Sequence, residues 1–112
     1  VWYRSPLVSH LVNLGHIVPE AYTQTDIFKA GIVFAKAEGI IPAPEANHAV
    51  KGAIEAALRC KENDESKTIL FNLCGHGHFD MQAYIDYFEG KLFDQEDSDD
   101  EIAMALSGLP SL

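Results

Sequence analysis

The chain has 112 residues, of which 47% are apolar, and this length and composition fit one hydrophobic core rather than two. Its net charge is −9 with the histidines neutral, and it carries only eight lysines and arginines. This balance excludes a surface that neutralises phosphate groups, so we expect no nucleic-acid partner and no attraction to anionic membranes. No apolar run approaches the roughly 20 residues of a membrane-spanning helix. We therefore expect a single soluble unit over residues 1–112.

The number of cysteines indicates the redox environment in which the protein resides. Cys60 and Cys74 are the only two, and no pattern typical of a secretory leader precedes them. This usage favours a reducing cytoplasm. The chain also begins at Val1 without an initiator Met, and its first residues read as though cut from something longer. We expect a segment of a larger protein.

The first half of the chain predicts two helices before Pro44. Residues 5–18 carry apolar side chains at helical spacing until Gly15. Thr25 is the predicted N-cap of a second helix, which extends through Ala37 and ends at Gly39. Apolar residues surround this second helix almost completely, which predicts that it is buried on all sides.

A third helix is predicted from Pro44 to about Cys60. Proline is tolerated in a first helical turn, where its missing N–H has no partner to lose. On the polar side, Lys51, Glu55 and Arg59 have the i, i+4 spacing of a ladder of ion pairs.

Residues 68–73 form a short apolar run, rich in β-formers, that follows the polar, turn-like residues 61–67. This pattern predicts a strand buried on both faces. A single strand among helices leaves its backbone N–H and C=O groups without partners. The sequence therefore predicts that its neighbours come from a missing N-terminal portion, or from a second copy in an exchanged dimer.

Two more helices are predicted towards the C-terminus. Asp80 is the predicted N-cap of a helix that stops at Gly90. The side chains expected to be buried along it are Met81, Tyr84, Ile85 and Phe88. Further on, Ser98 and Glu101 have the spacing of a capping box and predict a last short helix.

Residues 72–80, which we call the Cys74 loop, read N-L-C-G-H-G-H-F-D and follow the predicted strand. One interpretation is a metal site. His76, His78 and Asp80 spell H-x-H-x-D, which resembles the start of the metallo-β-lactamase motif, and Cys74 adds a possible soft ligand. That family continues with a further histidine where this chain has Met81.

A second interpretation takes the loop together with residues 38–45, which read E-G-I-I-P-A-P-E, and the following His48-Ala49. These two segments, in this order, resemble the tryptophan synthase β chains. The G-H-G-H-F-D continuation and the proline in P-A-P-E are similar to the second type of β chain. The resemblance covers nearly the whole chain, most clearly residues 6–88.

This resemblance implies an α/β fold, as the C-terminal fragment of a fold-type-II pyridoxal-phosphate enzyme whose parent domain has three layers, α/β/α. The fragment itself is expected to be mostly helical with one strand. The implied reaction is a β-replacement that joins L-serine and indole into L-tryptophan and water, with pyridoxal 5'-phosphate supplying the electronic chemistry.

The resemblance also implies which residues line the cofactor. Cys74 meets the pyridine nitrogen, where a neutral thiol, unlike a carboxylate, leaves that nitrogen largely unprotonated and favours β-replacement over transamination. Glu38 lies beside the ring, Gly75 and Gly77 allow close backbone approach, and His76 replaces a charged residue of the commoner type. The alternatives are a buried structural cysteine for Cys74 and a solvated helix-end carboxylate for Glu38.

Two parts that the family needs do not occur in this sequence: the cofactor-binding lysine that follows a histidine, and a glycine-serine loop that holds the phosphate. We therefore expect no catalytic residue here, no cofactor bound by the chain alone and no activity alone. The expected partners are the N-terminal portion of the same enzyme and a second copy in a homodimer. The alternatives are a self-associating, non-catalytic protein derived from the family, and the metal-binding protein described above.

Overall fold

The computed structural model describes residues 5–94, which are mostly helical. The four helices are α1 (Pro6–Asn13), α2 (Gln24–Glu38), α3 (Pro44–Glu62) and α4 (Met81–Phe88), and a single 3-10 turn, Gly77–Phe79, precedes α4. The predicted last helix, at Ser98 and Glu101, lies outside the described residues. The mostly helical character expected from the sequence is confirmed.

Helix α1 is the short helix predicted before Gly15. It begins at Pro6 and ends at Asn13, and Gly15 follows with a φ of +77°. A left-handed residue so soon after the helix favours glycine and redirects the chain. None of the residues of α1 is buried.

Helix α2 begins one residue before the predicted N-cap, and Thr23, rather than Thr25, caps it. The Thr23 hydroxyl accepts a hydrogen bond from the Asp26 N–H at 3.3 Å, three residues along as an N-cap requires. Thr25 instead donates its own N–H and hydroxyl to the carboxylate of Asp94, at 2.9 and 2.6 Å. The predicted end at Gly39 is confirmed, with a φ of +71°.

The prediction that α2 is buried on all sides is wrong. Its buried residues are Ile27, Phe28, Ala30 and Gly31, whereas Val33 is 53% exposed. The reason is that α3 and, to a smaller extent, α4 pack on one side of the helix, while the exposed Val33 lies outside that contact.

Helix α3 runs from Pro44, as predicted, to Glu62. The ladder on its polar face forms only in part. Lys51 and Glu55 pair at 2.5 Å, but Arg59 pairs with Glu20 at 3.2 Å instead of with Glu55. Arg59 thereby ties the segment before α2 to the end of α3.

Helix α4 lies where it was predicted, but two details differ. Asp80 is the N-cap residue, yet its side chain makes no capping hydrogen bond. Of the four side chains expected to be buried, only Tyr84 is, and Phe88 is 70% exposed. Met81 and Phe88 line an open groove between α4 and α2, which leaves them partly exposed.

The predicted strand at residues 68–73 is wrong. The described part of the chain contains no strand, and its only β-type pairing is an isolated antiparallel bridge between Pro42 and His76. A β-rich pattern becomes a strand only when a neighbouring segment accepts and donates its hydrogen bonds. Among residues 5–94 no segment pairs with residues 68–73 in this way, and Leu70 is 95% exposed.

The core lies where α2 packs against α3 and α4: α3 contributes the buried Ala46 and Val50, and aromatic rings join α2 to α4. Phe28 meets Tyr84 edge to face at 5.0 Å between ring centroids and stacks on Tyr87 at 5.6 Å. Ile27 completes the buried cluster. Such ring pairs stabilise a small core beyond the area they bury. None of the described helices is long and apolar enough to cross a membrane.

Candidate functional site

The structure joins the two sequence segments that were singled out. The Cys74 loop lies antiparallel to residues 41–43, with the bridge between Pro42 and His76 at its centre. On either side of the bridge, the Ala43 N–H donates to the Gly75 carbonyl at 3.0 Å and the Gly77 N–H donates to the Ile41 carbonyl at 2.8 Å. The position of the loop is therefore set by residues 41–43.

The two glycines of the loop have a packing role. Gly77 is buried, and a Cβ there would lie 2.7 Å from the Pro42 carbonyl oxygen and 2.8 Å from Cγ2 of Ile41. A Cβ on Gly75 would come 3.3 Å from Cβ of Ala43. Glycine at these positions lets the loop approach residues 41–43 closely. This contact differs from the approach to a cofactor ring that the resemblance implied, and that approach stays a prediction.

Behind residues 41–43 lies a buried chain of hydrogen bonds. The Asn47 amide nitrogen donates to the Tyr84 hydroxyl at 3.0 Å, and that hydroxyl donates to the Pro42 carbonyl at 2.5 Å. Asn47 has no exposed surface and Tyr84 is 4% exposed. Burial raises the pKa of the Tyr84 hydroxyl above its ordinary value, which keeps it protonated as a donor. We call this group the Asn47–Tyr84–Pro42 chain.

Sequence reasoning missed Asn47 and Gly31. Asn47 was hidden because an asparagine in the first turn of a helix is usually exposed. Its partner Gly31 was the available signal, since a glycine inside the apolar helix α2 costs about 1 kcal/mol relative to alanine and calls for a packing reason. The structure supplies that reason: a Cβ on Gly31 would overlap the side chain of Asn47.

The predicted ring-facing residues lie on the open side of the loop. Cys74 is exposed and carries a free thiol, so it is not the buried structural cysteine of the alternative interpretation. Glu38 is exposed at the last position of α2, three residues before Ile41. This placement is compatible with both interpretations of Glu38, a solvated carboxylate at the helix end and a side chain that contacts a ligand.

His76 has a defined structural contact. Its Nδ1 accepts a hydrogen bond from the His78 N–H at 3.3 Å and so caps the 3-10 turn Gly77–Phe79. The His76 and His78 rings meet edge to face at 4.8 Å. Phe79, next to them, is 93% exposed. The turn thus presents two imidazoles and a phenyl ring on one open surface.

The metal interpretation gains no support from this geometry. Within residues 5–94, no group of three His, Cys, Asp or Glu side chains is disposed to hold a metal ion. His76, His78 and Asp80 are close in sequence, but they do not converge on a common point.

Comparison with known proteins decides the family. No family model matches the chain. It is 57% identical over 90 residues to tryptophan synthase beta chain 2 of Aquifex aeolicus, a match that covers 80% of this chain and 21% of that protein. It is 50% identical over 101 residues to the tryptophan synthase beta chain of Pyrococcus horikoshii, covering 90% of this chain and 22% of the relative. The chain belongs with the tryptophan synthase beta chains.

The resemblance found in the sequence is therefore confirmed. A further relative, tryptophan synthase beta chain 2 of Pyrococcus furiosus, is 46% identical over 106 residues, or 95% of this chain. The chain spans only about a fifth of the length of the tryptophan synthase beta chains that it matches, which is consistent with a C-terminal fragment.

Proposed function

We propose that this chain is the C-terminal part of a pyridoxal-phosphate-dependent tryptophan synthase beta chain, which condenses L-serine and indole to L-tryptophan and water. In this proposal the chain contributes one wall of the cofactor site and is inactive alone. The observation that carries the proposal is the 57% identity to a beta chain over 80% of this sequence. The joined segments at Pro42 and His76 support it, because they combine the two motifs into one surface.

The residues present fit one end of the cofactor. The exposed Cys74 side chain is a thiol rather than a carboxylate, and a carboxylate is the group that would favour a protonated pyridine nitrogen there. Gly75 adds no side chain beside it, and the backbone of the loop is held by Ala43 and Gly77. The bound cofactor would act as the electron sink of the β-replacement. The part played by this chain is to hold the ring end and to leave the nitrogen unprotonated.

Glu38 and His76 have accessory roles in this proposal. Both are exposed on the segments that the Pro42–His76 bridge joins, so both side chains are free to face a ligand. Glu38 would orient the ring from its edge. His76, whose Nδ1 is already used by the His78 N–H, has Nε2 left for a substrate or cofactor contact.

The phosphate end of the cofactor finds no matching group in this sequence, because it has no glycine-serine loop and no lysine that follows a histidine. We propose that the remaining four-fifths of the enzyme supply both. The exposed apolar side chains of the described region support a missing partner surface. The most exposed of them are Leu70, Phe79, Val18 and Phe93.

A chimera tests this proposal. The matching 90 residues of the Aquifex aeolicus beta chain would be replaced by the corresponding residues of this chain, and tryptophan formation from serine and indole would be measured. We expect the chimera to retain activity and to bind pyridoxal phosphate, as seen in its visible absorbance. A folded chimera that binds the cofactor but forms no tryptophan would contradict the proposal.

Self-association is a second candidate, favoured by the same exposed apolar surface. An open groove of about 420 Å³ lies between α2 and α4, lined by apolar groups that include Ile32, Ile41, Met81 and Phe88. A homodimer would cover part of this surface. Light scattering on the purified chain tests it: a dimer at low concentration supports self-association, and a monomer at all concentrations contradicts it.

A cytoplasmic location, suggested by the free thiols of Cys60 and Cys74, is also part of the proposal.

A further inference from the structure

We propose that Tyr84, held by Asn47, is the positioning residue of the Cys74 loop. In this inference the Tyr84 hydroxyl fixes residues 41–43, and these residues fix the loop through the two hydrogen bonds beside the Pro42–His76 bridge. What the loop then does for a cofactor rests on the proposed function. The positioning itself does not, and it can be measured without any ligand.

Pro42 is held through its carbonyl group. Proline has no backbone N–H, so the carbonyl is its only backbone hydrogen-bonding group. The Pro42 residue is fully buried, and its carbonyl accepts the Tyr84 hydroxyl at 2.5 Å. Removing that hydroxyl would leave a buried carbonyl without this donor, which is costly. Pro42 therefore has a strong preference for the place that Tyr84 gives it.

Tyr84 also contacts the opposite segment. A Cβ on Gly77 would lie 3.0 Å from Cε2 of Tyr84, so the ring edge limits how far the loop can move towards α4. The hydroxyl thus holds one segment of the pair and the ring bounds the other. Two hydrogen bonds report the register between the segments. The Ala43 N–H donates to the Gly75 carbonyl, and the Gly77 N–H donates to the Ile41 carbonyl.

Asn47 connects this arrangement to the α2–α3 pair. Its amide donates to the Tyr84 hydroxyl, and its side chain fills the space above Gly31 in α2. The Tyr84 hydroxyl has one proton and two possible acceptors, and the Pro42 carbonyl at 2.5 Å is nearer than Oδ1 of Asn47 at 3.3 Å. The loop is consequently positioned against the two long helices and does not depend on α4 alone.

Amide hydrogen exchange of the full 112-residue chain, followed by NMR, tests the inference. Tyr84→Phe keeps the ring and its contact with Phe28 but removes the hydroxyl. We expect the Ala43 and Gly77 amides to exchange about fivefold to tenfold faster, as the loss of one net hydrogen bond predicts, with a shifted Gly75 amide signal. Amides in the middle of α2 and α3 should keep their protection.

The matched control is Tyr87→Phe. Tyr87 lies on the same helix and packs on the same Phe28 ring, but its hydroxyl takes no part in the Asn47–Tyr84–Pro42 chain. We expect no change at Ala43 and Gly77 in this variant. Equal effects of the two variants would overturn the inference. So would a parallel loss of protection at every amide in Tyr84→Phe, because that result describes a general stabilising role.

A second variant covers the case in which Tyr84→Phe does not fold. Asn47→Ala leaves Tyr84 as the donor to Pro42 and removes the group that orients it, together with the packing of that side chain on Gly31. We expect faster exchange at the same two amides, by a smaller factor than in Tyr84→Phe. Unchanged exchange there in folded Asn47→Ala would overturn the inference. Because no cofactor or substrate is present, failure here leaves the proposed function standing, and an inactive chimera leaves the positioning standing.

Discussion

Gly31 lies directly against the side chain of Asn47: a Cβ placed on Gly31 would come 2.2 Å from Oδ1 of Asn47 and 2.6 Å from its Cγ. The glycine gives α2 a notch into which a buried amide of α3 fits. The amide can then reach Tyr84 on α4. One missing methyl group thus allows three helices to share a single buried polar contact.

The first prediction is that Gly31→Ala destabilises the chain although alanine is the better helix former. The new methyl group would overlap Asn47, and relieving such overpacking typically costs about 1–3 kcal/mol, more than the roughly 1 kcal/mol that helix propensity returns. Urea unfolding followed by circular dichroism measures the change.

The matched control for this prediction is Gly52→Ala in α3. There a Cβ would meet nothing nearer than the Tyr22 hydroxyl at 3.8 Å, which is ordinary contact. We expect a gain of about 0.5–1 kcal/mol. If Gly31→Ala stabilises the chain as much as Gly52→Ala does, the close packing of Gly31 on Asn47 is wrong.

The second prediction concerns acid. The hydroxyl and the backbone N–H of Thr25 hold the pKa of the Asp94 carboxyl below its ordinary value of 3.8. A lowered pKa in the folded chain contributes stability above that ordinary value, and this contribution is lost as the pH falls below it. We expect Thr25→Val, which removes the hydroxyl only, to show a smaller loss of stability between neutral pH and about pH 3 than the natural chain. Thr25→Ser keeps both the hydroxyl and the N–H donor, so its stability should fall with pH as much as that of the natural chain.

The third prediction concerns alkali. Burial raises the pKa of Tyr84 above its ordinary value of 10.0, so the folded chain keeps a proton that the unfolded chain would release. The resulting stability is present below pH 10.0 and is lost as the pH rises above it. We therefore expect the free energy of unfolding of Tyr84→Phe to decrease less steeply with rising pH than that of the natural chain. Tyr22, whose pKa is raised by its hydrogen bond to Glu20, leaves a residual dependence.

The natural chain is the reference for the alkaline experiment and is measured over the same pH range. If Tyr84→Phe and the natural chain lose stability in parallel above pH 10.0, the buried, protonated Tyr84 hydroxyl is contradicted.

The fourth prediction tests Cys74 in the active chimera. Cys74→Asp would place a carboxylate beside the ring nitrogen and favour its protonation, which strengthens the electron sink and diverts the reaction from β-replacement. We expect the rate of tryptophan formation to fall by about tenfold or more. A tenfold fall corresponds to an activation free energy that is higher by about 1.4 kcal/mol. Cys74→Ser, a neutral replacement, should stay within about threefold. Cys60→Ser, in α3, should change nothing.

The helices could be predicted because their signals are local. Pro44, the left-handed Gly39 and the apolar spacing of α3 and α4 act within a turn or two of the chain, and each element appears where its pattern places it. The N-cap of α2 was misassigned because Thr23 and Thr25 are equally suitable in sequence. The structure differs because Thr25 donates hydrogen bonds to the Asp94 carboxylate, 69 residues further along the chain.

The strand at residues 68–73 and the burial of α2 could not be decided locally. Both depend on what lies opposite, and in the described residues nothing covers Leu70 or Val33. The Cys74 loop is intermediate. Its motif was visible in sequence, but its contact with Pro42 and the support from Asn47 and Tyr84 depend on tertiary packing. Buried polar contacts between distant residues leave little trace in a single sequence.

Reconstitution from two pieces would show whether this chain completes a tryptophan synthase beta chain. The purified chain would be mixed with the part of the Aquifex aeolicus beta chain that precedes its matching segment, with added pyridoxal phosphate, serine and indole, and tryptophan would be quantified. The account predicts no tryptophan from either piece alone and measurable tryptophan from the mixture. Turnover by the chain alone, or a stable complex of the two pieces that binds the cofactor and forms no tryptophan, would contradict it.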